Sequence, residues 1–192
     1  MGQLGFYFDM TACTSCKTCQ IACNDKNNLK TGTLFRNVRG FEGGQYPNPW
    51  IYYFSTSCNH CDHPKCAQGC PTGALTKLDN GIVNHDADKC IGCKYCMWNC
   101  PYGVPQYIEE TGTISKCDMC LDLISIGQKP ACVDACLMRC LDFGEMEELK
   151  AKYGPNLVNE LPILPSASIT GPNILIKTKS CAFNKDFVEK ED

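Results

Sequence analysis

Cysteine spacing constrains this chain more than any other feature of its sequence. Of its 192 residues, 18 are cysteine, a density typical of disulfide or metal scaffolds. All but two of these cysteines fall into four runs of four. In chain order the runs are Cys13, Cys16, Cys19 and Cys23; Cys58, Cys61, Cys66 and Cys70; Cys90, Cys93, Cys96 and Cys100; and Cys117, Cys120, Cys132 and Cys136. Cys140 and Cys181 lie outside the pattern, and we interpret them as thiols that bind no metal.

The first and third runs have the spacing C-x2-C-x2-C-x3-C, which is typical of bacterial 4Fe–4S ferredoxins. The second run has four residues between its second and third cysteines, and the fourth run has eleven. In such proteins one tight loop supplies three thiolates to a cubane cluster, and the fourth iron corner faces away from that loop. The fourth thiolate therefore comes from a neighbouring run. This pattern predicts that the chain holds four 4Fe–4S clusters.

Exchange of fourth ligands between paired runs predicts a specific partition of the cysteines. One cluster takes Cys90, Cys93, Cys96 and Cys70; its neighbour takes Cys58, Cys61, Cys66 and Cys100; a third takes Cys13, Cys16, Cys19 and Cys136; and the fourth takes Cys117, Cys120, Cys132 and Cys23.

Zinc sites and disulfides fit the cysteine pattern less well. Structural zinc is usually bound by two separated pairs of ligands, so the triple spacing disfavours a zinc-stabilised interaction module. A disulfide scaffold needs an oxidising compartment, yet we recognise no signal peptide.

No apolar stretch is long enough to span a membrane, so we expect any membrane association to come through a partner. The net charge of −3 and the absence of basic runs argue against nucleic-acid binding.

The fold class predicted from this organisation is α+β, with two nested bacterial-ferredoxin-like two-cluster modules, short hairpins, loops and an extended C-terminal tail. A turn around Asn80 and Gly81 predicts a hairpin that joins the second and third runs. The predicted divisions are an outer module of residues 1–25 plus 115–145, a β-rich insertion at 26–53, an inner module at 54–107, and a helix and tail at 146–192. We expect the insertion to pack as a hairpin, and the tail to lie either on a partner or on the chain's own surface.

Shorter segments and single residues carry further expectations. Strands are predicted at 5–9 and 141–144, and a helix at 145–153 that ends near Gly154. We expect the lysines beside the ligands to be solvated, the two histidines of the second run not to bind metal, and a tryptophan of the third run to shield a cluster from water. These residues are Lys17, Lys94 and Lys116; His60 and His63; and Trp98.

The sequence resembles the four-cluster iron–sulfur subunits of molybdopterin oxidoreductase complexes, most closely those of anaerobic dimethyl sulfoxide reductases. The segments that carry the resemblance are 13–19, 58–61, 70–74, 90–96, 100–103, 116–120, 141–144 and 171–174. One departure is Leu137, where the family usually has proline after the last cysteine of the fourth run. Cys140 lies nearby, but the three-residue spacing favours Cys136 as the ligand.

This resemblance implies an electron-transfer subunit that does no bond-making chemistry itself. It would relay electrons through four 4Fe–4S clusters between a membrane quinone/quinol subunit and a catalytic subunit that carries molybdopterin with molybdenum or tungsten. The same role in a thiosulfate, polysulfide, tetrathionate or nitrite reductase or in a formate dehydrogenase complex is the alternative. The expected location is at the membrane through partners, either on the periplasmic face by co-export or in the cytoplasm.

Overall fold

The computed structural model describes residues 2–190. The helices in this range are α1 (Thr18–Lys26), α2 (Lys65–Gln68), α3 (Tyr95–Asn99), α4 (Leu121–Ser125), α5 (Ala131–Asp134) and α6 (Met146–Tyr153). The strands are β1 (Leu4–Asp9), β2 (Asn37–Gly43), β3 (Trp50–Thr56), β4 (Leu75–Lys77), β5 (Val83–His85), β6 (Gln106–Ile108), β7 (Thr113–Ser115), β8 (Leu141–Glu145), β9 (Ile174–Lys177) and β10 (Phe187–Lys190). The combination of small sheets and short helices confirms the predicted α+β class.

A three-stranded sheet joins the beginning and the end of the chain. Its central strand β1 pairs antiparallel with β8 and parallel with β9. The middle of β1 is buried on both faces, which explains its continuous apolar sequence. The strands predicted at 5–9 and 141–144 are confirmed. Because β1 leads into the first cysteine run and β8 follows the fourth, this pairing brings those two runs together.

The predicted hairpins are present, together with one that the sequence did not reveal. Strands β2 and β3 pair antiparallel across the insertion, and Phe41 and Tyr52 stack in the core, as expected of a packing hairpin. Strands β4 and β5 form the hairpin between the second and third runs. Strands β6 and β7 form a further hairpin between the third and fourth runs, which the sequence pattern did not predict because both strands are only three residues long.

The segment after the fourth cysteine run adds a strand to the β1 sheet and another to the hairpin of β2 and β3. Helix α6 ends at Gly154, whose φ of +84° suits glycine. Strand β9 then pairs with β1, and β10 pairs with β2. Ile174, Leu175 and Ile176 are all buried. Of the two alternatives for the tail, packing on the chain itself is therefore the one observed.

Candidate metal centres

The loop that contains the first two cysteines has the same bend in all four runs. The residue before the second cysteine has a positive φ in each case: 59° at Ser15, 43° at His60, 64° at Gly92 and 62° at Met119. Only glycine adopts this conformation without strain. Because three other residue types accept it at equivalent positions, the bend is imposed by the role of the loop. Backbone strain of this kind is concentrated at functional sites.

A second shared turn follows the last cysteine of the second, third and fourth runs. The amides of Gly73, Gly103 and Arg139 donate to the carbonyls of Cys70, Cys100 and Cys136 at 3.3, 3.1 and 3.1 Å. All three donor residues have positive φ. The turn after Cys136 thus keeps the geometry of the other two, although Leu137 replaces their proline. This equivalence makes Cys136 the structural counterpart of Cys70 and Cys100.

The structure brings the cysteines together as four groups, which we call cradles and number in their spatial order. Cradle 1 contains Cys13, Cys16, Cys19, Cys136 and Cys140; cradle 2 contains Cys23, Cys117, Cys120 and Cys132; cradle 3 contains Cys58, Cys61, Cys66 and Cys100; and cradle 4 contains Cys70, Cys90, Cys93 and Cys96. Each cradle combines three cysteines of one run with the last cysteine of another.

Cradle 1 lines a small cavity and contains a fifth thiol. The Sγ atoms of Cys136 and Cys140 are 3.4 Å apart. A hydrogen bond between Cys13 and Cys140 lowers the pKa of Cys13 and raises that of Cys140. Cys140 lies four residues after Cys136, a position taken by Ala74 in the second run. Cys140 therefore lines the cavity from a position that is apolar in the equivalent loop.

Burial raises the pKa of several thiols in cradles 2 and 3. It raises the pKa of Cys23 and of Cys66 to about 12, with neighbouring cysteines adding to the effect. Cys117 is buried, and burial raises its pKa well above its usual value. Thiols in such surroundings become thiolates only when a positively charged metal group replaces their protons.

Cradle 4 also lines a small cavity. Leu75 and Ile114 contribute apolar walls beside the four cysteines. Within residues 2–190, no three His, Cys, Asp or Glu side chains converge closely enough to hold a single metal ion. The cysteines of cradles 1 and 4 instead surround a shared central space within each cradle, and cubane clusters, which take one thiolate at each of four iron corners, suit this arrangement.

Several N–H and O–H groups approach the sulfur atoms. The amides of Met119 and Ile114 lie 3.4 Å from the Sγ atoms of Cys117 and Cys90, respectively. The hydroxyl of Thr18 lies 3.4 Å from the Sγ of Cys16. Hydrogen bonds of this kind to cluster ligands raise reduction potentials, because they stabilise negative charge on sulfur.

The two histidines of the second run have different surroundings. His60 is fully buried, and its Nδ1 accepts the amide of Val83 at 3.0 Å. In the neutral ring the proton is therefore on Nε2, which lies 3.9 Å from the Sγ of Cys117. Burial, together with nearby Lys116 and Arg36, lowers the pKa of His60 well below its usual value. His63 is exposed.

Two expectations about single side chains were wrong. Lys116 is only 4% exposed, and its Nζ donates to the carbonyls of Val83 and Cys117, whereas we expected a solvated side chain. Trp98 is 80% exposed and cannot shield a cluster within this chain. Lys94 is exposed as expected, and its Nζ lies 3.8 Å from the centre of the Tyr107 ring. Local sequence does not reveal which side of a short helix or strand faces the core.

The four cradles form a series. Cys19 of cradle 1 and Cys132 of cradle 2 lie close enough for the charge of one to affect the other, as do Cys117 of cradle 2 and Cys58 of cradle 3. Cys66 of cradle 3 and Cys96 of cradle 4 belong to the same cluster of packed residues. Cys16 in cradle 1 and Cys93 in cradle 4 are the exposed members of the sixteen predicted ligands. The series is therefore accessible to solvent at its first and last cradles.

Comparison with known proteins identifies the family of this chain. Residues 50–146 match the family described as "4Fe-4S dicluster domain". The sequence is 46% identical over 183 residues to the iron–sulfur subunit of anaerobic dimethyl sulfoxide reductase from Escherichia coli K12, covering 91% of this chain and 88% of that protein. It is 44% identical to the corresponding Haemophilus influenzae subunit, with 95% and 92% covered. A sulfite dehydrogenase subunit of Allochromatium vinosum is 38% identical, with 77% and 71% covered.

These similarities first define the class, which is that of 4Fe–4S electron-transfer subunits of oxidoreductase complexes. Within that class, this protein belongs to the family of iron–sulfur subunits that includes those of anaerobic dimethyl sulfoxide reductases. Its cofactors are 4Fe–4S clusters, and the cysteine count accommodates four of them. Among the described residues, no helix is both long and apolar enough to cross a bilayer.

Proposed function

We propose that this chain relays electrons through four 4Fe–4S clusters between a molybdopterin catalytic subunit, with molybdenum or tungsten, and a membrane anchor subunit that exchanges electrons with quinone or quinol. The Escherichia coli and Haemophilus influenzae relatives are both parts of dimethyl sulfoxide reductases, which favours that activity for the complex. More distant similarity to a sulfite dehydrogenase subunit and a formate dehydrogenase iron–sulfur subunit keeps a related complex as the alternative. Substrate chemistry would take place on the catalytic partner, and the partners would provide the association with the membrane.

The proposed ligands are the four cysteines of each cradle, with Cys136 rather than Cys140 in cradle 1. The turn shared with Cys70 and Cys100 supports this choice. In this assignment the first and fourth runs exchange their last ligands, and so do the second and third. The exchange supports the division into an outer module of 1–25 with 115–145 and an inner module of 54–107. Bound clusters would supply one-electron storage at each cradle.

The observation that carries the proposal is the series of cradles with an exposed cysteine at each end. Apolar side chains surround both ends: Ile91 and Trp98 are 68% and 80% exposed near cradle 4, and Leu137 and Met138 are 71% and 46% exposed near cradle 1. Contiguous exposed apolar patches mark protein–protein contact sites, and we propose that these two pairs of side chains belong to such patches. A relay with two accessible ends requires two partners, one at each end.

Glutamate substitutions at the two ends test this arrangement. Trp98→Glu and Met138→Glu each place a charge in a proposed contact, so each is expected to slow electron exchange at its own end by about tenfold or more. The measurement is stopped-flow spectroscopy of the purified complex, which follows cluster reduction by a quinol analogue and cluster reoxidation by the catalytic subunit's substrate separately.

Val188→Glu is the matched control, since Val188 is 65% exposed on β10 and lies on the sheet of the insertion. It should leave both rates unchanged. The arrangement with two ends is contradicted if Trp98→Glu and Met138→Glu slow the same half-reaction, or if neither differs from the control.

A further inference from the structure

Arg36 is a buried cation that lies between two of the cradles. Its residue is 2% exposed, and its side chain lies over the ring of Phe6, with 4.8 Å between the guanidinium carbon and the ring centre. Within residues 2–190 it forms no ion pair with an aspartate or glutamate. An isolated buried charge is strongly unfavourable, so Arg36 requires another source of negative charge.

The hydrogen bonds of Arg36 lead towards the cysteines. Nη1 donates to the hydroxyl of Ser55 at 3.1 Å, and Nη2 donates to the hydroxyl of Ser57 at 2.9 Å. The guanidinium also lies close enough to Cys132 of cradle 2 for the two groups to interact electrostatically.

Ser55 extends this contact to cradle 1. Its hydroxyl oxygen accepts from Arg36 and lies 3.6 Å from the Sγ of Cys19. A metal-bound thiolate has no proton, so in the loaded protein the hydroxyl is the donor in this pair. Arg36 therefore reaches cradle 1 through one hydroxyl group and lies within electrostatic range of Cys132 in cradle 2.

We propose that Arg36 is a shared electrostatic anchor that raises the reduction potentials of the clusters in cradles 1 and 2 together. An oxidised cubane with four thiolates carries a formal charge of about −2, and one more negative charge is added on reduction. A buried guanidinium near the ligands stabilises the reduced form more than the oxidised form. Arginine keeps its charge at every physiological pH, so the effect is permanent. This role rests on the proposed ligand partition.

The charge also links cluster loading to folding of the insertion. Arg36 lies just before β2, and Ser55 belongs to β3, so the insertion hairpin positions both groups. The clusters provide the counter-charge that allows this arginine to remain in the core.

Redox-poised EPR of the cluster-loaded subunit in its complex tests the proposal, because it measures each cluster's midpoint potential without relying on turnover. Arg36→Gln should lower the potentials of the clusters in cradles 1 and 2 by about 59 mV. This shift corresponds to a tenfold change in the one-electron equilibrium constant. The clusters in cradles 3 and 4 should move by less than a third of that shift. Ser55→Ala should lower the potential of the cradle 1 cluster alone, by a smaller amount.

Lys116→Met is the matched control, because it removes another buried cation, one that contacts Cys117 in cradle 2 and not cradle 1. It should leave the cradle 1 potential unchanged. The proposal is overturned if Arg36→Gln leaves the potentials of cradles 1 and 2 unchanged, if it shifts all four equally, or if Ser55→Ala moves cradle 2 as much as cradle 1. If Arg36→Gln does not bind clusters, the cluster potentials of the Ser55→Ala variant test the proposal instead. Failure of the ligand partition is distinguishable, because it would appear as loss of the wrong cluster in cysteine variants.

Discussion

Replacing Cys136 with serine should remove iron from cradle 1, whereas Cys140→Ser should leave every cluster in place. The two thiols are 3.4 Å apart and line the same cavity, but only Cys136 lies in the turn shared with Cys70 and Cys100. Loss of one ligand exposes an iron corner, so we expect iron to fall from about sixteen atoms per chain to between about twelve and about fifteen. Iron analysis and EPR spin quantitation of anaerobically prepared protein measure the loss.

Cys181→Ser serves as the control, because Cys181 lies outside all four cradles and the variant should retain full iron content. Loss of iron in Cys140→Ser with none in Cys136→Ser would assign Cys140 as the ligand instead. The same metal analysis tests the alternative of a zinc-stabilised interaction module. About four zinc atoms per chain, with no visible cluster absorbance, would show a zinc-stabilised interaction module.

Replacing Ile176 with alanine should destabilise the protein by about 2–5 kcal/mol, the usual cost of removing a fully buried branched side chain. Ile176 is 0% exposed and belongs to β9, where it pairs with Phe8 of β1. It also exchanges two backbone hydrogen bonds with Val158. Its loss would leave a cavity beside the strand that leads into the first cysteine run. Guanidinium denaturation of the loaded protein under anaerobic conditions, followed by cluster absorbance, measures the change.

Ile169→Ala is the matched control, because it makes the same substitution in the same part of the chain at a residue that is 45% exposed. We expect a change below about 0.5 kcal/mol. Equal effects of the two substitutions would contradict the conclusion that the tail is part of the core. Cluster loss in both variants would mean that the local loop structure, rather than burial, governs stability.

The predictions of strands, hairpins and a helix were confirmed where the residues that determine the element are adjacent in sequence. The Asn80–Gly81 turn, the apolar run at 5–9 and the helix that ends before Gly154 are examples, and each is set by local backbone preference. The prediction for Trp98 failed because its exposure depends on which face of α3 meets the rest of the chain. The hairpin of β6 and β7 was missed because three-residue strands carry too little pattern.

The cysteine spacing by itself determined the kind of cofactor and the number of cysteines available to bind it, because three thiolates on one loop must match three corners of a cubane. Only the tertiary structure decided which residues surround those thiolates. Arg36 and Ser55 are distant from Cys19 in sequence and share no motif with it, and the three residues meet through sheet pairing and core packing. The burial of Lys116, the fifth thiol in cradle 1 and the docking of the tail arise in the same way. Such contacts depend on the free energy of the whole fold, which no local spacing encodes.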